Sequence, residues 1–158
     1  MGNVQPVPEG MKGVIPHLTV RDCARAIDWY KQVFGAQELG RHAMPDGKIM
    51  HASLLIGGGP LMLNDEFKEM GAAAPQSLSG SSVCMMVYVD DVDAVYQRAV
   101  DGGAKTKMPV ADQFWGDRYG VLTDPFGHVW EIATHKEDLT SEEMDRRGRE
   151  AMAQMSQK

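Results

Sequence analysis

The stretch HLTVRDCARAIDWYKQVFGA, residues 17–36, decides the architecture when it is set against MVYVDDVDAVYQRAVDGGA, residues 86–104. Laying Val20 on Val89 brings Asp22 onto Asp91, and a one-residue gap brings Gly35-Ala36 onto Gly103-Ala104. Each copy reads as a strand, an acidic N-cap, an amphipathic helix and a glycine stop. The first strand is predicted over Val14–Val20, with Leu18 and Val20 pointing one way and His17 and Thr19 the other. Pro16 restricts it to an edge or a strand start, because proline cannot donate to a ladder. Asp22 offers a cap, and Ala26, Ile27, Tyr30, Val33 and Phe34 recur at helical spacing before Gly35 ends the run. The second copy repeats this with a strand Val83–Val89, a cap at Asp90-Asp91 and apolar residues at Val92, Val95, Tyr96, Ala99 and Val100. An internal repeat fixes architecture more firmly than any single motif.

Each copy continues into strands. In the first, these are Gln37–Ala43, a turn at Pro45-Asp46-Gly47, Ile49–Ile56, a Gly57–Pro60 turn and Leu61–Asn64. In the second, they are Lys105–Val110, a loop Ala111–Asp117, Arg118–Thr123, a turn at Asp124-Pro125-Phe126-Gly127 and His128–Thr134. Proline at the second and glycine at the fourth turn position suit a type I turn. The fold class predicted is therefore α+β, two βαβββ modules with curled mixed sheets. The expected boundaries are a mobile arm 1–12, modules 13–67 and 83–136, an Ala-, Ser- and Gly-rich connector 68–82, and a C-terminal helix 137–158 opened by the capping box Thr140–Glu143.

Composition narrows the function. The 158 residues are 43% hydrophobic and 24% charged, ordinary for a globular protein. A net charge of -6 and the lack of a basic stripe disfavour nucleic acid. No apolar run is long enough for a membrane span, since Ser53–Leu63 is broken by Gly57, Gly58 and Gly59. No secretory leader is legible, and the two cysteines, Cys23 and Cys84, have no zinc or disulfide spacing, which fits a reducing cytoplasm.

Residues 17–36, PDGKIMHASLLIG (45–57) and FWGDRYGVLTDPFGHVWEIATHKEDL (114–139), within the βαβββ repeat, resemble the vicinal oxygen chelate superfamily of glyoxalases, bleomycin-resistance proteins and extradiol dioxygenases, and more closely its PhnB-like branch. The resemblance covers roughly residues 13–139. It implies sheets curled into a cup, a homodimer, and, in metal-dependent members, a divalent ion held by the first and last strands of each module. Carried over one at a time, those slots fall at Ile15 (with His17 two residues along), near Asn64 or Asp65, at Cys84 and at Glu131.

Two functions follow as expectations. In the first, the cup binds a small organic molecule without the full metal tetrad. The loop Phe114-Trp115-Gly116-Asp117-Arg118-Tyr119 is its best element, joined by Met86 and Tyr88, because aromatic faces beside charges suit a flat or cationic ligand. In the second, one divalent metal (Fe, Mn, Zn or Ni) on His17, His51 and Glu131 serves a lyase, isomerase or dioxygenase acting on a small oxygenated substrate. Glu131, alone among apolar neighbours on its strand, needs a partner: it is a ligand, a general base or half of an ion pair, with Arg118 the nearest candidate. Cys84 is expected as a small buried hydrophobe, and His135 as solvent-exposed.

Overall fold

A computed structural model describes residues 4–155. The chain divides into two units, Met1–Ser82 with Phe126–His128, and Val83–Pro125 with Val129–Lys158.

The first unit runs β1 (His17–Val20), α1 (Cys23–Phe34), β2 (Gln37–Ala43), β3 (Ile49–Ile56) and β4 (Gly59–Asp65). Its sheet has the order β1-β4-β3-β2, with β1 parallel to β4 and the other pairs antiparallel. Strand β1 is shorter than expected because Pro16 has no N–H; the ladder starts with the Pro16 carbonyl accepting from Met62 N at 2.9 Å. Asp22 caps α1 by accepting from Arg25 N, and Gly35 closes it in the left-handed region at φ 65°. One face of the sheet (Leu18, Val20, Ala52, Leu54, Leu61, Leu63) is buried with Ala26, Ile27, Tyr30 and Val33 of α1. The connector holds a 3-10 turn, Lys68–Met70, and a one-turn helix α2 (Pro75–Leu78).

The second unit runs β5 (Cys84–Tyr88), α3 (Val92–Asp101), β6 (Lys105–Asp112), β7 (Asp117–Thr123), β8 (Val129–His135) and α4 (Ser141–Met155). The order β5-β8-β7-β6, again with one parallel pair, repeats the first sheet. Met85, Val87, Leu122, Trp130 and Ile132 are buried with Val92, Val95, Tyr96 and Ala99 of α3. Gly120 lies so close to α3 that a Cβ there would stand 2.8 Å from the Tyr96 ring. The ring stays in place because its hydroxyl donates to the carbonyls of Met108 and Val121, 2.9 and 3.0 Å away.

One outer strand of each sheet, β2 and β6, is interrupted: the register slips between Glu38 and Gly40 and between His42 and Ala43, and again between Thr106 and Met108 and between Met108 and Ala111. The loop expected over Ala111–Asp117 is correspondingly shorter, since β6 extends to Asp112. Of the arm expected over 1–12, residues 1–3 lie outside the described residues; Val4–Gly10 are exposed, with a turn closed by Met11 N donating to Pro8 O at 3.1 Å. Thr140 caps α4 by accepting from Glu143 N, and residues 156–158 lie outside the described part. Among the described residues no helix is long and apolar enough to cross a membrane.

Candidate functional site

Strand alternation leaves each sheet with one face that its helix does not cover, and His17, His51, Met86, Tyr88, Tyr119 and Glu131 lie on such a face, with Trp115 in a loop beside it. On the first sheet that face carries His17, Thr19, His51, Ser53, Met62 and Asn64. The His17 and His51 rings meet edge to face with centroids 5.6 Å apart, and His51 Nε2 lies 3.1 Å from Ser53 Oγ. Burial and the neighbouring His51 lower the His17 pKa from its ordinary value, against a hydrogen bond that the ring donates to Asn64, which raises it. Asp65 points the other way. Its carboxylate accepts from Cys23 N at 2.9 Å and Ile49 N at 2.7 Å, anchoring the start of α1 and of β3.

The second sheet's open face is of a different kind. Its register sets three residues abreast in successive rows: Met86, Glu131 and Val121; then Tyr88, Ala133 and Tyr119; beyond them Asp117 stands opposite His135. Met86 and Tyr88 are 46% and 55% exposed, while Met85 and Val87, which alternate with them, are buried. Asp117 is buried and collects three donors: Tyr88 Oη at 2.8 Å, Trp115 Nε1 at 3.1 Å and His135 Nδ1 at 2.8 Å. Burial opposes its ionisation, but these donors hold the carboxyl below the usual range. The hydrogen bond to Asp117 in turn raises the Tyr88 phenol. His135 also faces Asp138 through Nε2 at 3.0 Å, and the two carboxylates raise its pKa. Tyr119 is pushed up to about 12 by burial and by Glu131, to which its hydroxyl donates. The Trp115 ring stands edge-on to Tyr119, centroids 5.4 Å apart. Two open hollows flank this group, one of about 470 Å³ lined by Tyr88, Val89, Asp90, Thr134 and His135, the other of about 280 Å³ lined by Asp112, Gln113, Gly116, Asp117, Lys136 and Glu137.

Three expectations need correcting. Arg118 does not pair with Glu131: it stands opposite Thr134 on the helix side, bound to Asp93 at 2.6 and 2.7 Å and to Asp112 at 3.1 Å. Cys84 is exposed, because β5 is an outer strand and Cys84 shares the open face with Met86 and Tyr88. His135 is half-exposed, as expected, but is engaged by two carboxylates. Phe114 packs against α4, where a Cβ on Gly148 would lie 3.3 Å from its ring. The Asp117 group, the most connected feature of this face, went unselected in the sequence. It was within reach, since a hairpin turning at Phe126 pairs 117 with 135 and 121 with 131.

His17 and His51 thus come together within the first unit, while Glu131 belongs to the second. Among the described residues no three His, Cys, Asp or Glu side chains are grouped to hold a metal ion. The family's metal positions fit poorly here. The register equates Glu131 with Met62, because His17 pairs with Met62 as Met86 pairs with Glu131; it does not equate Glu131 with Asn64 or Asp65. Ile15 is aliphatic, and Cys84 is exposed at a sheet edge.

A duplicated βαβββ chain with one open sheet face per module defines a class of small α+β proteins. The Glyoxalase/Bleomycin resistance protein/Dioxygenase superfamily model matches residues 14–132, and the chain belongs to that family. An uncharacterised protein of Mycobacterium tuberculosis is 44% identical over 145 residues, covering 90% of this chain and 82% of its own. The crystal structure of TioX from Micromonospora sp. ML1 superposes with a TM-score of 0.59 at 34% identity, over 78% of this chain and 98% of that one. The PhnB protein of Bacillus cereus shares the fold, with a TM-score of 0.61 at 16% identity over 78% of this chain and 99% of that one.

Proposed function

We propose that this protein binds a small, flat organic molecule on the open face of the second module's sheet. The observation that carries this reading is the pair of exposed side chains Met86 and Tyr88 beside Trp115 and Tyr119, three of whose rings are held by carboxylates. An exposed aromatic and thioether patch with fixed orientation binds at little entropic cost, because the rings are already ordered. Titrating ¹⁵N-labelled protein with 2-naphthol tests it. Saturable amide shifts confined to residues 84–88, 115–121 and 131–135, lost in Tyr88→Ala, support the reading; shifts scattered over both modules refute it. The protein acts as a homodimer in the cytoplasm, and sedimentation equilibrium checks the stoichiometry.

A second reading rests on the His17–His51 contact. Of the two adjacent imidazoles, His17 has a lowered proton affinity, which favours the neutral form that binds metal. A divalent ion there would supply Lewis acidity toward an oxygenated substrate, as a lyase, isomerase or dioxygenase requires. Calorimetric titration with Ni(II) should give one site that His51→Ala abolishes; no heat in the wild type rejects it.

A further inference from the structure

The charge balance of the second module's open face specifies the chemistry of its ligand. We propose that this ligand is a flat organic cation, a protonated or quaternary aromatic amine, held over the Tyr88 ring with its charge directed to Glu131. The proposal rests on the small-molecule reading above and adds to it the sign of the charge.

Glu131 is half-buried in the middle strand of the face, directly across from Met86 on one side and Val121 on the other. Its hydrogen-bond donor is the neutral Tyr119 hydroxyl, and no salt bridge reaches it among the described residues. The unit's arginine closest in sequence, Arg118, is committed to Asp93 and Asp112 on the other side of the sheet. His135 offsets Asp117 and Asp138, both of which it contacts, and so leaves Glu131 uncompensated. Lys105 lies on the outer strand β6, opposite Thr123 and off Glu131's row.

The rings around this charge are tuned in the same direction. Tyr88 crosses from β5 to donate to Asp117 on β7, so its ring spans the middle strand at Ala133, whose methyl leaves room for it. Tyr119 donates to Glu131 and Trp115 donates to Asp117. An aromatic ring that gives its polar hydrogen to a carboxylate gains electron density on its face, which strengthens attraction for a cation. The Met86 thioether, soft and polarisable, closes the row beside Glu131. A neutral ligand would desolvate Glu131 without pairing it, and an anion would be repelled.

Three probes with one two-ring shape separate the alternatives: N-methylquinolinium, 2-naphthol and naphthalene-2-sulfonate. The wild type should bind the quinolinium about tenfold or more tightly than naphthol, with no saturation by the sulfonate at millimolar concentration. Glu131→Gln should remove most of that advantage, read as the ratio of quinolinium to naphthol affinity falling toward one. Raising the salt on wild-type protein, which needs no variant, should weaken the quinolinium alone. Equal affinity for quinolinium and naphthol overturns the charge assignment while the aromatic face stands. Failure of both to bind on this face overturns both readings.

Discussion

His17, Thr19, His51 and Asn64 in the first module hold the register positions that Met86, Tyr88, Tyr119 and Ala133 hold in the second. One face is imidazole and amide; the other is ring, thioether and carboxylate. Beneath these faces the duplicated frame has been kept by compensating exchange. Ala52 and Ile27 in the first module correspond to Gly120 and Tyr96 in the second, so a larger helix residue faces a smaller strand residue. Asp65 corresponds to Thr134, and each accepts from the first N–H of its module's helix, Cys23 N and Val92 N, both at 2.9 Å. The comparison teaches that these helix-facing positions keep their role through matched exchange, while the open faces diverge and distinguish the modules.

The most damaging way to break that pairing is to remove the acceptor on which one module's helix start depends. Asp65→Ala leaves two buried N–H groups, those of Cys23 and Ile49, without their acceptor and should cost about 3 kcal/mol. Thr134→Ala, which removes one such acceptor, should cost about 1 kcal/mol. Urea unfolding of the two variants measures the ratio, and equal losses would refute the correspondence. Gly120→Ala, which places a methyl against the Tyr96 ring, should cost about 2 kcal/mol. Adding Tyr96→Ile, which copies the first module's pair, should restore part of that loss, even though it forfeits the two hydroxyl bonds; a double variant that loses the full sum of the two single losses would show the sites to be uncoupled.

A subtler contrast is in proton affinity. His17 has its folded pKa lowered from 6.5, so its contribution to stability is present above that pH and is lost as the pH falls through 6.5 toward the folded value. His135 has its folded pKa raised, so its contribution is present below 6.5 and is lost as the pH rises through the folded value. Imidazole proton resonances followed from pH 5 to 9 should place the two midpoints on opposite sides of 6.5. The Tm advantage of wild type over His135→Gln should shrink as the pH is raised from 6 to 8.5. The smallest effect expected is for Phe114→Ala, about 1 kcal/mol, read as earlier proteolysis within α4 rather than as global unfolding.

The features legible in the sequence are those that depend on neighbours along the chain. Gln37–Ala43 and Ile49–Ile56 appear with the bounds expected, and the caps at Asp22, Asp91 and Thr140 are all formed. Alternation put His17 on the face of Thr19, opposite Leu18 and Val20. What escaped depends on register between strands. Arg118 is one residue out of phase with Tyr119 and so turns to Asp93 on α3, a partner 25 positions away. The exposure of Cys84 depends on β5 lying at the rim of its sheet, and the seat of Phe114 on a helix that begins some 27 residues later, at Ser141.

The slips in β2 and β6 have a consequence for the protein in concentrated solution. Strands with unsatisfied rims invite further chains to add on and grow into fibres. Here one rim is broken twice and carries Glu38 clamped between Lys31 and Arg41; the other is broken twice and holds Pro109 between Lys107 and Asp112. An incoming strand would find no continuous ladder to copy on β2 or β6, so these two rims can stand bare to water and still resist amyloid growth.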